Sequence, residues 1–429
     1  MPRSATIAAV KGFRDVLPEE SRRWQALEDA ARELFLAYGF GEIRLPILER
    51  TELFARSVGE TSDIVEKEMY GFTDRDGTSL TLRPEATASV ARAYIEDNLG
   101  HADAQARLFY IGPMFRRERP QKGRYRQFYQ IGAELLGRAD PLADAELLLL
   151  LARYLERVGA REARLELNSL GDETCRPVYR ERLRKFGERH LDVLCPDCHR
   201  RLERNPLRLL DCKVEACRQV MADAPVMRDS LCADCAAHLG QLRALLDQER
   251  VPYVMNFRIV RGLDYYRRTA FEVVAEGLGA QNAVGAGGRY DGLVAALGGP
   301  DVPGVGFALG LDRLGIVASA GALPSGPAAV ILPLEERAVG PAFALATRLR
   351  QQGLSVGLEP AGRSLKALLR SADRRGARLA VILGEEELQV GRATVRDLVR
   401  GQDRRQVLTL DAPGPELASA VQALVGADG

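Results

Sequence analysis

The chain has 429 residues, of which 46% are hydrophobic and 28% are charged, and its formal net charge is +1. This composition is typical of a globular protein of roughly two to four domains. Because the net charge is near zero, any contact with nucleic acid must come from local basic patches. No apolar run approaches the roughly 18 residues that cross a bilayer. The N-terminal sequence lacks the apolar core of a secretory signal, so we expect a cytoplasmic protein without membrane contact.

The first part of the chain combines short strands with blocks of helix. Apolar residues at helical spacing predict a helix over about 18–38. Residues 42–50 (EIRLPILER) predict an edge strand or an irregular interface segment, because Pro46 cannot donate to a sheet. A further helix is predicted over about 143–158. Strand-like runs cover residues 79–84, 107–115, 128–137, 165–171, 257–266, 269–276 and 283–293. The pattern predicts an α+β domain over residues 1–325, an antiparallel sheet flanked by helices.

Two other regions differ from this pattern. Residues 173–250 are helical, charged and rich in cysteine, and they interrupt the strands, which indicates an inserted domain. Residues 328–429 alternate strand and helix, which predicts a small α/β domain with a mostly parallel sheet.

A basic segment, FRRERPQKGRYRQFYQIGAE (residues 115–134), joins two of the predicted strands. It holds six Lys or Arg residues and one Glu before Gln130. The planar guanidinium group of arginine pairs with two phosphate oxygens at once and keeps its charge, so this segment suits a polyphosphate. The alternative is a solvated basic hairpin.

Three further segments contain candidate binding residues. In RPEAT (residues 83–87), Glu85 is either a carboxylate at a helix start or, with Thr87, a ligand for an ammonium group. In RGLDYY (residues 261–266), alternation points the two tyrosines in opposite directions, so one faces a pocket. In GAGGRYDG (residues 285–292), the glycines allow a tight turn or a close approach to a ligand.

The segment GVGFALGLDRL (residues 304–314) is rich in glycine, but its spacing is not that of a dinucleotide-binding fingerprint and no βαβ unit precedes it. A transition from strand to helix that projects Arg313 toward a nucleotide is the better interpretation.

Together these segments resemble class II aminoacyl-tRNA synthetases. Residues 42–50 are similar to motif 1 of that class, residues 115–128 to motif 2 and residues 304–314 to motif 3. IVRGLDYYRRTAFE and GAGGRYDGL resemble two peptides peculiar to the histidyl-tRNA synthetases, and the similarity spans nearly the whole chain. One departure is Asp312, where the family often has glutamate.

The resemblance implies a role for each arginine of the site. Arg116 would bind the α-phosphate of ATP and Arg124 the distal phosphates, while Arg313 would stack on adenine. Arg261 is similar to the family's catalytic arginine, which supports the α-phosphate from the side opposite Arg116. Formation of the adenylate then depends on positioning and charge stabilisation, with Mg²⁺ and without a protein nucleophile.

The resemblance also implies a histidine pocket and a tRNA contact. Glu85, Thr87 and Gln130 would hold the ammonium group of the substrate. Tyr265 belongs to the same binding peptide, and the imidazole ring would be bound by Glu134, Tyr266 and Tyr290. Gln121 and Arg126 in the motif 2 loop would read the acceptor end of tRNA(His) and its extra 5′ guanosine.

The function implied is ATP-dependent ligation of L-histidine to tRNA(His) through a histidyl-adenylate, in a homodimer. Residues 328–429 resemble an anticodon-binding domain, in which basic residues would contact tRNA or form a solvated helix face; these are Lys366, Arg370, Arg374, Arg375 and Arg378. Two alternatives are a non-catalytic paralogue, the regulatory subunit of ATP phosphoribosyltransferase, and a sensor domain that binds uncharged tRNA. The paralogue usually lacks the anticodon-binding domain that residues 328–429 resemble. The tRNA sensor belongs to a larger kinase, and this chain has no kinase signature.

Six of the seven cysteines lie between Cys195 and Cys235, and two C-x-x-C pairs stand out. Clustered cysteines in a cytosolic chain suggest a metal more than disulfides. The hypothesis is one structural Zn²⁺ on four thiolates, those of Cys195, Cys198, Cys232 and Cys235. The alternative is a set of reduced thiols packed among short helices.

Overall fold

The structure is a computed structural model that describes residues 7–59, 62, 64–102, 105–119, 121, 123–260, 265–278, 282–319, 326–399 and 406–426. The chain divides into two compact units, residues 1–321 and residues 322–429. The domain boundary expected near residue 325 lies outside the described residues.

The first unit is built on an eight-stranded sheet. Its strands are β1 (Gly41–Glu42), β5 (Ala106–Phe115), β6 (Gln127–Leu136), β7 (Arg164–Ser169), β8 (Val254–Met255), β9 (Arg267–Val274), β10 (Ala283–Arg289) and β11 (Gly304–Gly310), in the order β1-β5-β6-β11-β10-β9-β7-β8. The six central strands are antiparallel, and only the outermost strands β1 and β8 pair in parallel among the described residues. A small antiparallel sheet is formed by β2 (Leu48–Arg50), β3 (Tyr70–Thr73) and β4 (Ser79–Leu82), with β4 in the middle.

The helices of this unit flank the large sheet. They are α1 (Pro18–Ala37), α2 (Thr51–Val58), α3 (Thr87–Glu96), α4 (Leu99–Ala102), α5 (Pro141–Arg157), α10 (Leu293–Ala296) and α11 (Leu311–Val317), with a π-helical turn at Ile64–Glu68. Helix α1 buries Trp24, Leu27, Ala31 and Phe35, the apolar stripe that predicted it. The phenol of Tyr154 on α5 donates to the carbonyl of Leu27 (2.9 Å), which joins the two helices.

The inserted region is helical, as predicted, and contains α6 (Arg176–Glu188), α7 (Pro196–Arg204), α8 (Glu215–Ala222) and α9 (Ala233–Gln248), with 3-10 helices at Pro206–Asp211 and Met227–Ser230. It has a small core of its own around Leu183, Leu202 and Leu209. Helix α9 instead packs into the main core through Leu239, Leu242 and Leu246.

One strand prediction in this unit is confirmed and another is wrong. Residues 42–50 contribute to β1 and β2, each at the edge of its sheet, with an irregular stretch around Pro46 between them, as expected from the proline. The described part of residues 257–266 is not a strand. The Asn256 side chain accepts from the Arg258 N–H (3.0 Å) and forms a turn there, and Asn168 donates to the Ile259 carbonyl (2.9 Å). Side-chain bonds of this kind compete with a strand ladder.

The second unit holds a five-stranded sheet. Its elements are β12 (Ala329–Pro333), α12 (Val339–Gln351), β13 (Val356–Leu358), α13 (Leu365–Arg374), β14 (Leu379–Leu383), α14 (Glu385–Gln389), β15 (Arg392–Asp397), β16 (Gln406–Thr409) and α15 (Gly414–Gly426), with a 3-10 turn at Glu336–Ala338. The strand order is β13-β12-β14-β15-β16. The pairs of β12 with β13 and β14 are parallel, but β14-β15 and β15-β16 are antiparallel. The sheet is therefore mixed. The expectation of a mostly parallel sheet is wrong because β15, in which three of six residues are charged, carries little apolar signal, and the short strand β16 pairs with it in the antiparallel direction.

Candidate active site

A cavity of about 920 Å³ lies over the antiparallel sheet, against the N-terminus of α3 and the loop between β5 and β6. Its lining brings together most of the side chains that the sequence singled out: Glu85, Thr87, Arg116, Arg124, Gln130, Tyr265, Tyr266 and Arg313. The insertion contributes to its wall through α7 and the neighbouring 3-10 helix.

Arg116 is held at the end of β5. Its Nε donates to the Pro84 carbonyl (2.8 Å), and its guanidinium lies 5.3 Å from the centre of the Phe128 ring. These contacts use one edge of the guanidinium and one face, which fixes its plane in the cavity wall. Glu118, which the sequence reasoning passed over, lies 3.9 Å from Arg116 and 2.6 Å from Arg124. A carboxylate between two arginines reduces their mutual repulsion before an anion binds.

Arg313, on α11, is almost fully buried. Its Nη1 donates to the Ala283 carbonyl (2.5 Å) and its Nε to the Gly123 carbonyl (3.3 Å). The Nη2 atom is buried and has no hydrogen-bond partner among the described residues. Burial lowers the pKa of Arg313. A buried guanidinium that belongs to a cavity lining and has an unused donor is suited to a ligand acceptor.

Gly123 lets the motif 2 loop close onto Arg313. Its φ is +68°, and a Cβ there would lie 3.0 Å from Ile316 and 3.3 Å from the Arg313 side chain. The loop can therefore approach α11 only with glycine at this position.

Glu134 is buried, with 1% of its surface exposed, and neither it nor Tyr290 belongs to the cavity lining. It accepts hydrogen bonds from Thr87 Oγ1 (2.7 Å), Tyr290 OH (2.6 Å) and Tyr110 OH (3.4 Å). Burial raises the pKa of Glu134 to about 8, although the hydrogen bonds from Tyr290 and Thr87 act in the opposite direction. Burial therefore favours the neutral form of this carboxyl group.

Glu85 has the helix-start geometry that the sequence left as one of two alternatives. Its oxygens accept from the backbone N–H groups of Thr87 (2.8 Å) and Ala88 (2.9 Å) at the start of α3. The side chain nevertheless belongs to the cavity lining, so its hydrogen bonds to the helix start do not prevent it from facing a bound ammonium group. Burial raises the pKa of Glu85.

Gln130 and the tyrosine pair complete the pocket. The buried Gln130 Oε1 has no hydrogen-bond partner within the described chain. Tyr265 and Tyr266 both line the cavity with ring centres 4.6 Å apart, so the expectation that they face opposite directions is wrong. Both residues precede β9, and strand alternation therefore does not apply to them. Arg261, the expected catalytic arginine, lies outside the described residues.

Two polar networks that the sequence reasoning missed support these residues. Asp312 accepts from Arg14 (3.0 Å) and from the Tyr129 N–H (3.1 Å), which fixes α11 against β6. Asp144 binds Arg289 and His238 (2.7 Å), all of them buried, directly beside Tyr290. Arg289 lies 145 residues from Asp144 in the chain, and no local pattern indicates that pair.

The two residues expected to contact tRNA lie at the rim. Gln121 is exposed and its backbone pairs with Arg124 in the loop. Arg126 donates to the carbonyls of Glu118 (3.3 Å) and Lys11 (3.2 Å), which ties the motif 2 loop to the N-terminal segment.

The predicted single zinc site is corrected by the structure, which divides its four cysteines between two groups. Cys195 and Cys198 converge with Cys212 and Cys217. Cys232 and Cys235 converge instead with Asp172 and Cys175. The spacing of the two C-x-x-C pairs suggested one site, but each pair begins a different helix and finds its partners there.

An antiparallel sheet with arginines from the loop of one hairpin and from a later helix around one cavity defines a class II aminoacyl-tRNA synthetase catalytic domain. A model of the histidyl-tRNA synthetase family matches residues 12–172 and 197–314, and a model of the anticodon-binding domain matches residues 328–412. The histidine–tRNA ligase of Geobacter metallireducens is 51% identical over 395 residues, 92% of this chain and 96% of that protein. The chain belongs to the histidyl-tRNA synthetase family.

Solved structures agree with this assignment. A crystal structure of the apo histidyl-tRNA synthetase of S. aureus matches with a TM-score of 0.77 and 34% identity, covering 96% of this chain and all of that chain. A Bacillus halodurans structure, described as an ATP phosphoribosyltransferase regulatory subunit/histidyl-tRNA synthetase, matches with a TM-score of 0.64 over 86% of this chain and 97% of its own. At 22% identity, that second likeness shows the fold alone. Among the described residues, no helix is both long enough and apolar enough to span a membrane.

Proposed function

We propose that this chain ligates L-histidine to tRNA(His) with ATP, through a histidyl-adenylate. The observation that carries the proposal is one cavity lined by Arg116, Arg124 and Arg313 and by Thr87, whose hydroxyl donates to the buried Glu134. Family membership and the 51% identical relative support the same reaction.

The cavity suits the chemistry of the first step. The histidine carboxylate attacks the α-phosphorus of ATP, and pyrophosphate leaves from the opposite side. We assign Arg116 to the α-phosphate, Arg124 to the distal phosphates and Arg313 to the adenine and γ-phosphate. Arg261 and Mg²⁺ would neutralise the remaining charge. Preorganised cations of this kind stabilise the transition state without a protein nucleophile.

In the second step, a hydroxyl of the terminal adenosine of tRNA attacks the carbonyl carbon of the adenylate, and AMP leaves. Gln121 and Arg126 lie at the rim, where an acceptor end would enter. In the second unit, Lys366, Arg370, Arg374 and Arg375 are exposed and are proposed contacts for the anticodon.

The pocket also supports selection of histidine. Glu134 and Tyr266 are assigned to the imidazole ring, with Tyr290 fixing Glu134 from behind. Glu85, Thr87 and Gln130 are assigned to the ammonium group, and the unpartnered Gln130 Oε1 is an acceptor that a ligand donor would satisfy. An amino acid without ring nitrogens would leave buried polar groups unpaired, which is a strong basis for rejection.

The enzyme is proposed to act as a homodimer in the cytoplasm, where its tRNA and ATP substrates meet. Ile47, Leu48 and Phe72 expose 40–48% of their surface around the small sheet that follows motif 1. Apolar side chains grouped on a surface in this way are typical of a subunit interface.

Exchange of pyrophosphate into ATP tests the proposal, with each amino acid supplied in turn. Only histidine should support exchange, and it should require Mg²⁺. Arg116→Ala and Arg261→Ala should each lower the exchange rate by about 100-fold or more, the effect of removing one transition-state charge partner. Arg117→Ala, an exposed neighbour of Arg116, is the matched control and should retain exchange. A chain that binds histidine but supports no exchange would favour the regulatory-subunit alternative.

A further inference from the structure

The cysteines of the insertion form two separate groups in which the side chains converge on a point. In the first group, the sulfur atoms of Cys195, Cys198, Cys212 and Cys217 all lie within 4.8 Å of one another. In the second, the sulfur atoms of Cys175, Cys232 and Cys235 and an oxygen of Asp172 do the same. All seven cysteines of the chain belong to these groups, and all of them are free thiols.

The separations fit a single tetrahedral ion in each group. Zinc binds sulfur at about 2.3 Å and a carboxylate oxygen at about 2.0 Å, so tetrahedral geometry places two sulfur ligands about 3.8 Å apart and an oxygen about 3.5 Å from a sulfur. The Cys195 and Cys212 sulfurs are 3.8 Å apart, as are those of Cys175 and Cys235. Asp172 Oδ1 lies 3.4 Å from the Cys175 sulfur and 3.7 Å from the Cys232 sulfur.

The local backbone of each group is also that of a metal site. Cys195 and Cys232 each stand at the N-cap of a helix, α7 and α9, and each is followed three residues later by the second cysteine of its pair. Backbone N–H groups point at the sulfurs: that of Cys195 lies 3.2 Å from the Cys217 sulfur and that of Asp172 lies 3.2 Å from the Cys175 sulfur. Helix N-termini and N–H donors stabilise thiolates, the form that binds a metal.

The packing of the insertion gives a reason for such ions. Its own core is one small cluster, which includes Cys198, Cys212 and Cys217 in place of larger apolar side chains. Small cores supply only a few kcal/mol of stability and often need a metal or a disulfide. If the cysteines served only as small apolar residues, nothing would require four sulfurs to meet at one point. Convergence on two points favours coordination over simple packing.

We propose that the insertion holds two structural zinc ions, one on Cys195, Cys198, Cys212 and Cys217 and the other on Asp172, Cys175, Cys232 and Cys235. The first ion joins α7, the following 3-10 helix and α8 inside the insertion. The second ion joins the segment after β7 to the start of α9, where the insertion leaves and rejoins the catalytic unit. Arg268, 3.7 Å from Asp172, offsets part of the negative charge of the second site.

Metal analysis of the full chain, purified without chelator and without a histidine tag, tests the proposal. Wild-type protein should contain two zinc ions per chain. The double variants C195S/C198S and C232S/C235S should each retain one. Asp197→Asn and Asp234→Asn, exposed residues inside the two C-x-x-C pairs, are matched controls that should retain both ions. A metal-free chain, iron in place of zinc, or a zinc content that neither double variant lowers would overturn the proposal.

A second measurement does not depend on folding of the variants. Titration of the intact wild-type chain with an organomercurial that modifies thiols, in the presence of a coloured zinc indicator, should release two equivalents of zinc. A third measurement does use the variants: after replacement by cobalt, the near-ultraviolet thiolate absorption of C232S/C235S, with the four-sulfur site left, should exceed that of C195S/C198S, with three sulfurs left. Release of no zinc from the wild-type chain would contradict both sites, independently of any enzymatic activity.

Discussion

Replacing Glu134 with glutamine should remove a pH dependence of stability from the catalytic unit. The Glu134 carboxyl is buried under Thr87, Tyr110 and Tyr290, and burial raises its pKa to about 8, whereas the unfolded chain has the ordinary value of about 4.3. Between these values the folded state keeps a proton that the unfolded state loses. This contribution to stability is fully present below about pH 4.3 and is lost as the pH rises through about 8.

The size of the effect follows from the proton difference. Between pH 5.5 and pH 7.5, the folded state binds about one more proton than the unfolded state, so the free energy of unfolding falls by about 2.5 kcal/mol from this group. For a unit of residues 1–321, an unfolding entropy of about 2.1 cal/mol/K per residue converts this to about 4 °C in Tm. The glutamine side chain of the variant stays neutral at both pH values and can still accept from Thr87 and Tyr290, so the variant should lack this fall.

Calorimetric unfolding of the wild type and of Glu134→Gln at pH 5.5, 6.5 and 7.5 measures the difference. The Tm of the wild type should fall by about 4 °C relative to the variant across this range. Glu52→Gln, at an exposed carboxylate on α2, is the control and should follow the wild type. A constant difference between wild type and Glu134→Gln, within one degree or so, would refute a neutral buried carboxyl.

Two other substitutions test the supports of the site. Gly306→Ala would place a Cβ 1.6 Å from Glu134 Oε2, so we expect KM for histidine in pyrophosphate exchange to rise about tenfold or more; Gly41→Ala, with open space around it, should leave KM unchanged, and an unaltered KM in Gly306→Ala would contradict the placement of Glu134. Asp144→Asn removes the fully buried charge partner of Arg289 and leaves it only the less buried Asp291, so unfolding by denaturant should show a loss of about 3 kcal/mol. Asp29→Asn on the surface should lower the free energy of unfolding by less than about 1 kcal/mol. An equal loss in both variants would show that the buried pair stabilises the fold no more than a surface pair does.

The sequence predicted the parts of the site that lie within single continuous segments. The strands around the motif 2 loop, the helix start at Glu85 and the position of Arg313 at the start of α11 all follow from local patterns of charge, proline and glycine. Local patterns could not give the partners that arrive from distant segments. In the sequence, Tyr110 is indistinguishable from the other apolar positions of β5. In the structure, its hydroxyl donates to Glu134 on the neighbouring strand β6.

The cysteines illustrate the same limit. The C-x-x-C spacing correctly marked four of them as special, but Cys212, Cys217 and Cys175 had no pattern that assigned them to either pair. Their grouping depends on how the 3-10 helix and α8 fold back on α7, which spacing alone does not specify. The strand predicted over 257–266 is absent from residues 257–260 for a related reason, since the side chains of Asn256 and Asn168 form hydrogen bonds with backbone groups that a strand would use.

The last helix of the insertion has a consequence for the evolution and engineering of this region. Helix α9 supplies three leucines to the main core, and its His238 forms a hydrogen bond with Asp144, the buried partner of Arg289 next to Tyr290. A deletion of the entire segment 173–250 would therefore leave a cavity in the main core. It would also remove a support of Arg289 and, next to it, of Tyr290, which we propose helps to bind the histidine substrate. Natural length variation and engineered deletions should be tolerated only between α6 and the start of α9, because α9 belongs to the core of the catalytic unit.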